Sequence, residues 1–124
     1  MLFRSDIEDG ITLNCSKDEI EKLISTLLDN AIKHSDKDTA VSIRLSKSKS
    51  LVNIQITNKG EPIAPGDEEK IFERFYRADK SRSRSENRYG LGLAIAKRIV
   101  INHGGSIKAA SDEKTGTTTF EVTF

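Results

Sequence analysis

"LLDNAIKHS", residues 27–35, closes a run whose leucines, alanine and isoleucine return at helical spacing. Ile20, Leu23, Ile24, Leu27, Leu28, Ala31 and Ile32 recur at i, i+3 and i+4, which predicts an amphipathic helix ending near Ser35. Its start is marked too. "SKDE", residues 16–19, is a capping box, with Ser16 as N-cap and Glu19 reaching back to the Ser16 N–H. At about 100° per residue, Thr26, Asn30 and Lys33 fall within roughly 60° of one another on the flank of the apolar face. A boundary asparagine beside a snorkelling lysine is the ordinary reading of such a stripe. The pair also suits a metal–phosphate ligand. An amide oxygen is a hard, neutral donor for Mg²⁺, and a lysine one turn later is a point charge for phosphate oxygens.

Outward from this helix, "GITLNC" (10–15) alternates and predicts a first strand, and "VSIRLS" (41–46) and "VNIQIT" (52–57) predict a hairpin. "NKGEPIAPG" (58–66) holds both prolines and two glycines and predicts a loop; "DEEKIFERF" (67–75) predicts a short helix with an acidic start. "GLGLAIAKRIVINHGG" (90–105) is a glycine-opened, glycine-closed helix, followed by the strands "SIKAAS" (106–111) and "TTFEVTF" (118–124). This order predicts an α/β two-layer sandwich. A five-stranded mixed, mostly antiparallel sheet would carry about three helices on one face.

The 124 residues suit one domain, and 35% hydrophobic with 31% charged residues is ordinary for a globular chain. No apolar run is long enough to cross a membrane, and "MLFRSDIEDG" has acids where a signal peptide needs apolar residues. Cys15 is the sole cysteine, which excludes an internal disulfide and fits a reducing, cytoplasmic setting. Twenty basic against 19 acidic residues, net +1, carry no global nucleic-acid signal. The charge is nevertheless uneven: "RADKSRSRSENR" (77–88) has five basic and two acidic residues, the composition of a solvated loop or of a cover over a polyanion.

The glycines beside that loop complete no nucleotide-binding fingerprint. Gly90-Leu91-Gly92 lacks the third small residue of a dinucleotide fingerprint, because Ile95 stands there, and no P-loop pattern exists. A glycine pair opening a helix still favours an anion, through free N–H groups and the helix dipole.

In register from about Gly10 onward, the chain resembles the catalytic ATP-binding domain of bacterial sensor histidine kinases, in the wider GHKL group. "LLDNAIKHS" looks like the N box, "NKGEPI" occupies the G1 position, "IFERFYRADKSRSR" matches the F box and "GLGLAIAKRIVINHGG" the G2 box. The resemblance implies a Bergerat-type fold that binds ATP with Mg²⁺. Asn30 would be the metal ligand, and Lys33 and Arg77 the catalytic side chains at the phosphates. His34 would line the pocket, Gly60 would let the backbone approach the base, and Tyr76 would border the triphosphate. Residues 78–89 would form the ATP lid, and Gly90, Leu91, Gly92 and Leu93 would cradle phosphates. Phe72 and Phe75 have an ordinary core reading, preferred for Phe72.

Departures from the pattern carry information. Asn58 stands where the family has the aspartate that reads the adenine amino group; an amide can also flip and donate to a guanine oxygen, predicting relaxed discrimination against GTP. Pro62 replaces a G1 glycine, and "TGTTTF" leaves the choice between Thr118 and Thr119 open. Thr26 occupies the place of the water-activating glutamate of the chaperone and topoisomerase members, and a hydroxyl cannot serve as that base. Both histidines, His34 and His103, fall inside catalytic-domain motifs, so residues 1–124 read as a fragment lacking the phosphoacceptor segment.

The resemblance implies a histidine-bearing dimerisation domain as partner, usually in a homodimer, and a downstream response regulator. It implies no nucleic acid and no membrane contact by this fragment, within a parent that is an integral membrane sensor. Two other readings compete: a free-standing serine kinase of the anti-sigma-factor type, and a nucleotide-binding module without phosphotransfer.

Overall fold

The computed structural model describes residues 2–74, 76–77, 88–90 and 92–124. The elements, in order, are β1 (Leu2–Ile7), α1 (Lys17–Lys33), β2 (Ala40–Ser48), β3 (Leu51–Lys59), a 3-10 turn (Lys70–Phe72), β4 (Tyr76–Arg77), β5 (Arg88–Gly90), α2 (Gly92–Asn102), β6 (Ser106–Asp112) and β7 (Thr117–Thr123). Five strands form one sheet in the order β1-β2-β3-β7-β6, and β4 pairs with β5 apart from it. Only the β1–β2 pairing in the large sheet is parallel. The α/β architecture and mixed, mostly antiparallel sheet agree with the sequence pattern.

Period-2 alternation decides which face of the sheet is covered. Along β3, Val52, Ile54, Ile56 and Asn58 are buried while the residues between them are not, and Thr118, Phe120 and Val122 of β7 follow suit. The helices supply the other wall: Leu23, Leu27 and Ala31 from α1, and Leu93, Ala96, Ile99 and Val100 from α2. Ile71 and Phe72 close the core, so the core reading of Phe72 holds; Phe75 lies outside the described residues.

Four expectations change. The first strand is Leu2–Ile7 rather than 10–15: Phe3 and Ile7 align with Val41 and Leu45 of β2, and the left-handed turn at Gly10 (φ +76°) ends the extended run before it can continue. "DEEKIFERF" forms a single 3-10 turn, leaving two α-helices among the described residues where about three were expected. Ile32 is 45% exposed, so the buried face of α1 ends at Ala31 and does not include it. The capping box is half-made. Glu19 N–H does donate to Ser16 Oγ (3.4 Å), but Ser16 N–H donates to His103 Nε2 (3.1 Å) instead of to Glu19.

Candidate functional site

The polar stripe lies along the second half of α1. Thr26 and Asn30 are half-buried and Lys33 is exposed at the last turn. Thr26 is also where α2 arrives: a Cβ placed on Gly92 would lie 3.3 Å from Thr26 Cγ2. The opening turn of α2, with its unsatisfied N–H groups, therefore sits against the stripe. N-box and G2-box residues, about sixty positions apart in sequence, are brought together here by helix packing. Leu93 is 1% exposed in the core, so only its backbone N–H can serve a ligand.

One turn beyond Asn30, α1 ends at a second polar corner. His34 is the C-cap, and its carbonyl accepts from Asn58 Nδ2 (3.4 Å). Asn58 and Thr118 are the buried polar residues of the described chain, 5% and 6% exposed, and they pair across β3 and β7. Thr118 Oγ1 lies 2.7 Å from Ser111 Oγ, which in turn accepts the Ile63 N–H (2.9 Å) and so ties the proline-bearing loop to the sheet. Thr119 faces the other side, 3.2 Å from Thr57 Oγ1, so of the two threonines Thr118 belongs to this corner.

Gly60 has a packing reason to be glycine. An added Cβ would stand 2.0 Å from the His34 carbonyl oxygen, while Gly60 N–H donates to Gly116 O (2.8 Å). The end of α1, the end of β3 and the β6–β7 turn are thus locked at one point. That lock orients the Asn58 amide. A carbonyl can only accept, so the NH₂ faces His34, and Oδ1 with the second N–H is what Asn58 offers elsewhere. The flipped amide behind the expected GTP tolerance would set two oxygens against each other.

β4 and β5 join the two ends of the expected lid: Tyr76 aligns with Gly90 and Arg77 with Arg88. Tyr76 OH donates to Asp67 Oδ2 (2.6 Å), a contact no motif announced. The side chain of Arg77, Leu91 and residues 78–87 lie outside the described residues, as does most of the lid expectation. A groove of about 480 Å³ opens elsewhere, lined by Glu19, Lys22, Arg74, Ile95 and Arg98 among others, and carries none of these candidate residues.

The donor set fits a metal held through phosphates. No cluster of three or more His, Cys, Asp or Glu side chains that could hold an ion occurs among the described residues. One neutral amide, Asn30, one turn along α1 from the Thr26–Gly92 contact, is a donor type that Mg²⁺ takes beside waters and substrate phosphates.

Comparison with known proteins decides the family. The family model of histidine kinase-, DNA gyrase B- and HSP90-like ATPases matches residues 15–124. The chain belongs to this ATPase family. Within it the similar proteins are sensor kinases. The sensor-like histidine kinase SenX3 of Mycolicibacterium smegmatis is 46% identical over 95 residues, covering 77% of this chain and 25% of its own length. The signal transduction histidine-protein kinase ArlS of Staphylococcus aureus is 42% identical over 106 residues, covering 86% and 23%. The structure of the mycobacterial sensor histidine kinase MprB superposes with a TM-score of 0.83 at 27% identity, covering 99% of this chain and 80% of that one. This histidine kinase-type ATPase chain spans about a quarter of the curated relatives it matches. No helix among its described residues is long and apolar enough to cross a membrane.

Sequence reasoning missed Ser111, Asp67 and the part played by the His34 carbonyl. The inward position of Thr118 was available from alternation with Phe120 and Val122; the other three depend on contacts between distant segments.

Proposed function

We propose that residues 1–124 form one catalytic domain that binds ATP with Mg²⁺ and donates the γ-phosphoryl group to a histidine on a separate helical domain of the same two-component kinase. The observation that carries this reading is the meeting of a polar corner and a polar stripe at the end of α1. A buried polar corner (Asn58, Thr118) meets the last residue of α1's cap, and the Thr26–Asn30–Lys33 stripe runs back from it along α1 to the start of α2 at Gly92. Asn58 Oδ1 would accept from the adenine amino group, and Asn30 would hold the metal together with phosphate oxygens and water. The metal supplies charge neutralisation at the phosphates when bound. Lys33, and Arg77 at the foot of the lid, would stabilise charge on the transferring group.

Thr26 on the stripe cannot activate water, so phosphate should pass to an imidazole nitrogen with release of ADP rather than to water. One similar structure is the histidine kinase ThkA in complex with the response regulator TrrA, which supports a response regulator as the later acceptor for this protein too. The parent would be a homodimeric sensor kinase with this domain on the cytoplasmic side of the membrane.

The decisive experiment adds radiolabelled Mg-ATP to this chain with and without a histidine-bearing dimerisation domain from a related sensor kinase. Label should appear on the added domain as acid-labile phosphohistidine, and the chain alone should turn over ATP barely above background. Brisk hydrolysis by the chain alone defeats the proposal. The base contact is tested by Asn58→Asp. It places a carboxylate against the His34 carbonyl and offers the base the same acceptor character, so the ATP-to-GTP preference should stay within about threefold. A marked rise in that preference would mean that the wild-type amide is flipped.

A further inference from the structure

α1 and α2 pack together through the core, and a contact stands at each end of that packing. One is the Thr26–Gly92 contact at the nucleotide end. The other is His103, just after the last turn of α2 and reaching the first residue of the α1 cap. Ser16 N–H donates to His103 Nε2 (3.1 Å), while His103 Nδ1 lies 2.8 Å from the Ile99 carbonyl. A backbone N–H only donates and a carbonyl only accepts, so Nε2 must present its lone pair and Nδ1 must carry the hydrogen. This is the neutral Nδ1–H tautomer, assigned by the two partners. The side chain is 12% exposed, with Glu19 Oε2 3.9 Å from Nδ1 and the Phe124 ring edge-on at 6.1 Å between centroids.

Ten residues separate Ser16 from Thr26 and eleven separate Gly92 from His103, so the contacts stand roughly 15 Å apart along both helices. Apolar packing between two helices is non-directional and lets them slide and rotate by small amounts, whereas a directional hydrogen bond at the far end of the pair fixes their register. We propose that His103 is a positioning residue for the nucleotide site: as the Nδ1–H tautomer it clamps the start of α1 to the end of α2. It thereby keeps Asn30 and the α2 N-terminus in register. The functional half of this inference rests on the nucleotide-binding reading above; the tautomer does not.

Imidazole ¹⁵N NMR on the whole chain tests the tautomer directly. Protonated Nδ1 and bare Nε2 are expected, and an Nε2–H signature overturns the inference. His103→Gln and His103→Asn then separate the two bonds. Glutamine can still present an acceptor to Ser16 N–H, whereas asparagine reaches only the Ile99 carbonyl. Binding of a non-hydrolysable Mg-ATP analogue, measured by calorimetry with thermal melts alongside, should stay within about threefold of wild type for Gln and weaken about tenfold for Asn. Equal affinity of Asn and wild type, or equal loss in both variants, overturns the clamp. A wild-type chain that binds no nucleotide refutes the proposed function and the positioning role with it, while the NMR result decides the tautomer separately.

Discussion

The two faces of the β3–β7 pair are made from the same strands and treat polar groups in opposite ways. On the outer face, Asn53 donates to Thr123 (3.1 Å), Gln55 to Glu121 (2.8 Å), and Thr57 meets Thr119 (3.2 Å). Lys108 adds an ion pair to Glu121 (3.0 Å). On the inner face, Ile54–Val122 and Ile56–Phe120 are apolar pairs, and then Asn58–Thr118 follows at the end of the same ladder. An outer polar side chain has a cross-strand partner and water, so it is nearly neutral for stability. An inner one has lost its water and must be satisfied by specific groups, a cost that a fold has no reason to bear at the end of an apolar ladder. The difference supports the placement of the base proposed above.

The contrast can be broken most severely by Ile56→Ala. It opens a cavity beneath both helices and should cost about 2–4 kcal/mol in a chemical melt, whereas Gln55→Ala, one residue away on the outer face, should cost well under about 1 kcal/mol. Comparable losses would mean that the outer ladder carries the fold. Asn58→Leu comes next. It removes the long bond to the His34 carbonyl and gains apolar burial, so stability should fall by only about 1–2 kcal/mol, less than for Ile56→Ala, while Mg-ATP affinity falls about tenfold. A melt as damaged as that of Ile56→Ala would assign Asn58 to the fold and not to the ligand.

A smaller effect separates neighbouring threonines. Thr118→Val should weaken nucleotide binding about threefold, and Thr119→Val should leave it unchanged, because only Thr118 faces the Asn58 corner. Identical titrations for the two would erase the distinction between the faces. The smallest effect lies on the outer ladder. Hydrogen bonds from Gln55 and then Lys108 hold the Glu121 carboxyl below its ordinary value of 4.5, against an opposing effect of burial. A carboxyl whose folded pKa is depressed contributes stability above its unfolded pKa and loses it as pH falls through the folded value. Thermal melts of Glu121→Gln should therefore show a shallower decline than wild type as the pH drops below about 4.5, with little change near neutrality. Parallel acid limbs would show that the ladder is electrostatically silent.

How legible was this in the chain itself? Periodicity found α1, α2, the hairpin and the last two strands, because each pattern is local: apolar side chains at 3.6 or 2 residues must share a face. It misplaced the first strand. "GITLNC" alternates and "LFRSDI" does not, so only the parallel register against β2 selects the latter. It read too much helix into "DEEKIFERF", where one turn suffices to bury Ile71 and Phe72. The stripe Thr26, Asn30 and Lys33 was visible from helix geometry alone, since residues at i, i+4 and i+7 must align.

What faces that stripe was not visible, and there the tertiary structure decided. Residue types and spacing determined the two-layer class, the core faces and the motifs that place the chain in its ATPase family. Packing of distant segments determined that Gly92 abuts Thr26, that the His34 carbonyl turns the Asn58 amide, that Thr118 rather than Thr119 joins it, and that His103 takes the N–H expected for Glu19. Each of these is a steric or hydrogen-bonding contact between groups 24 to 87 positions apart. A local pattern cannot encode such a contact, because hydrogen-bond geometry depends on the relative placement of whole elements.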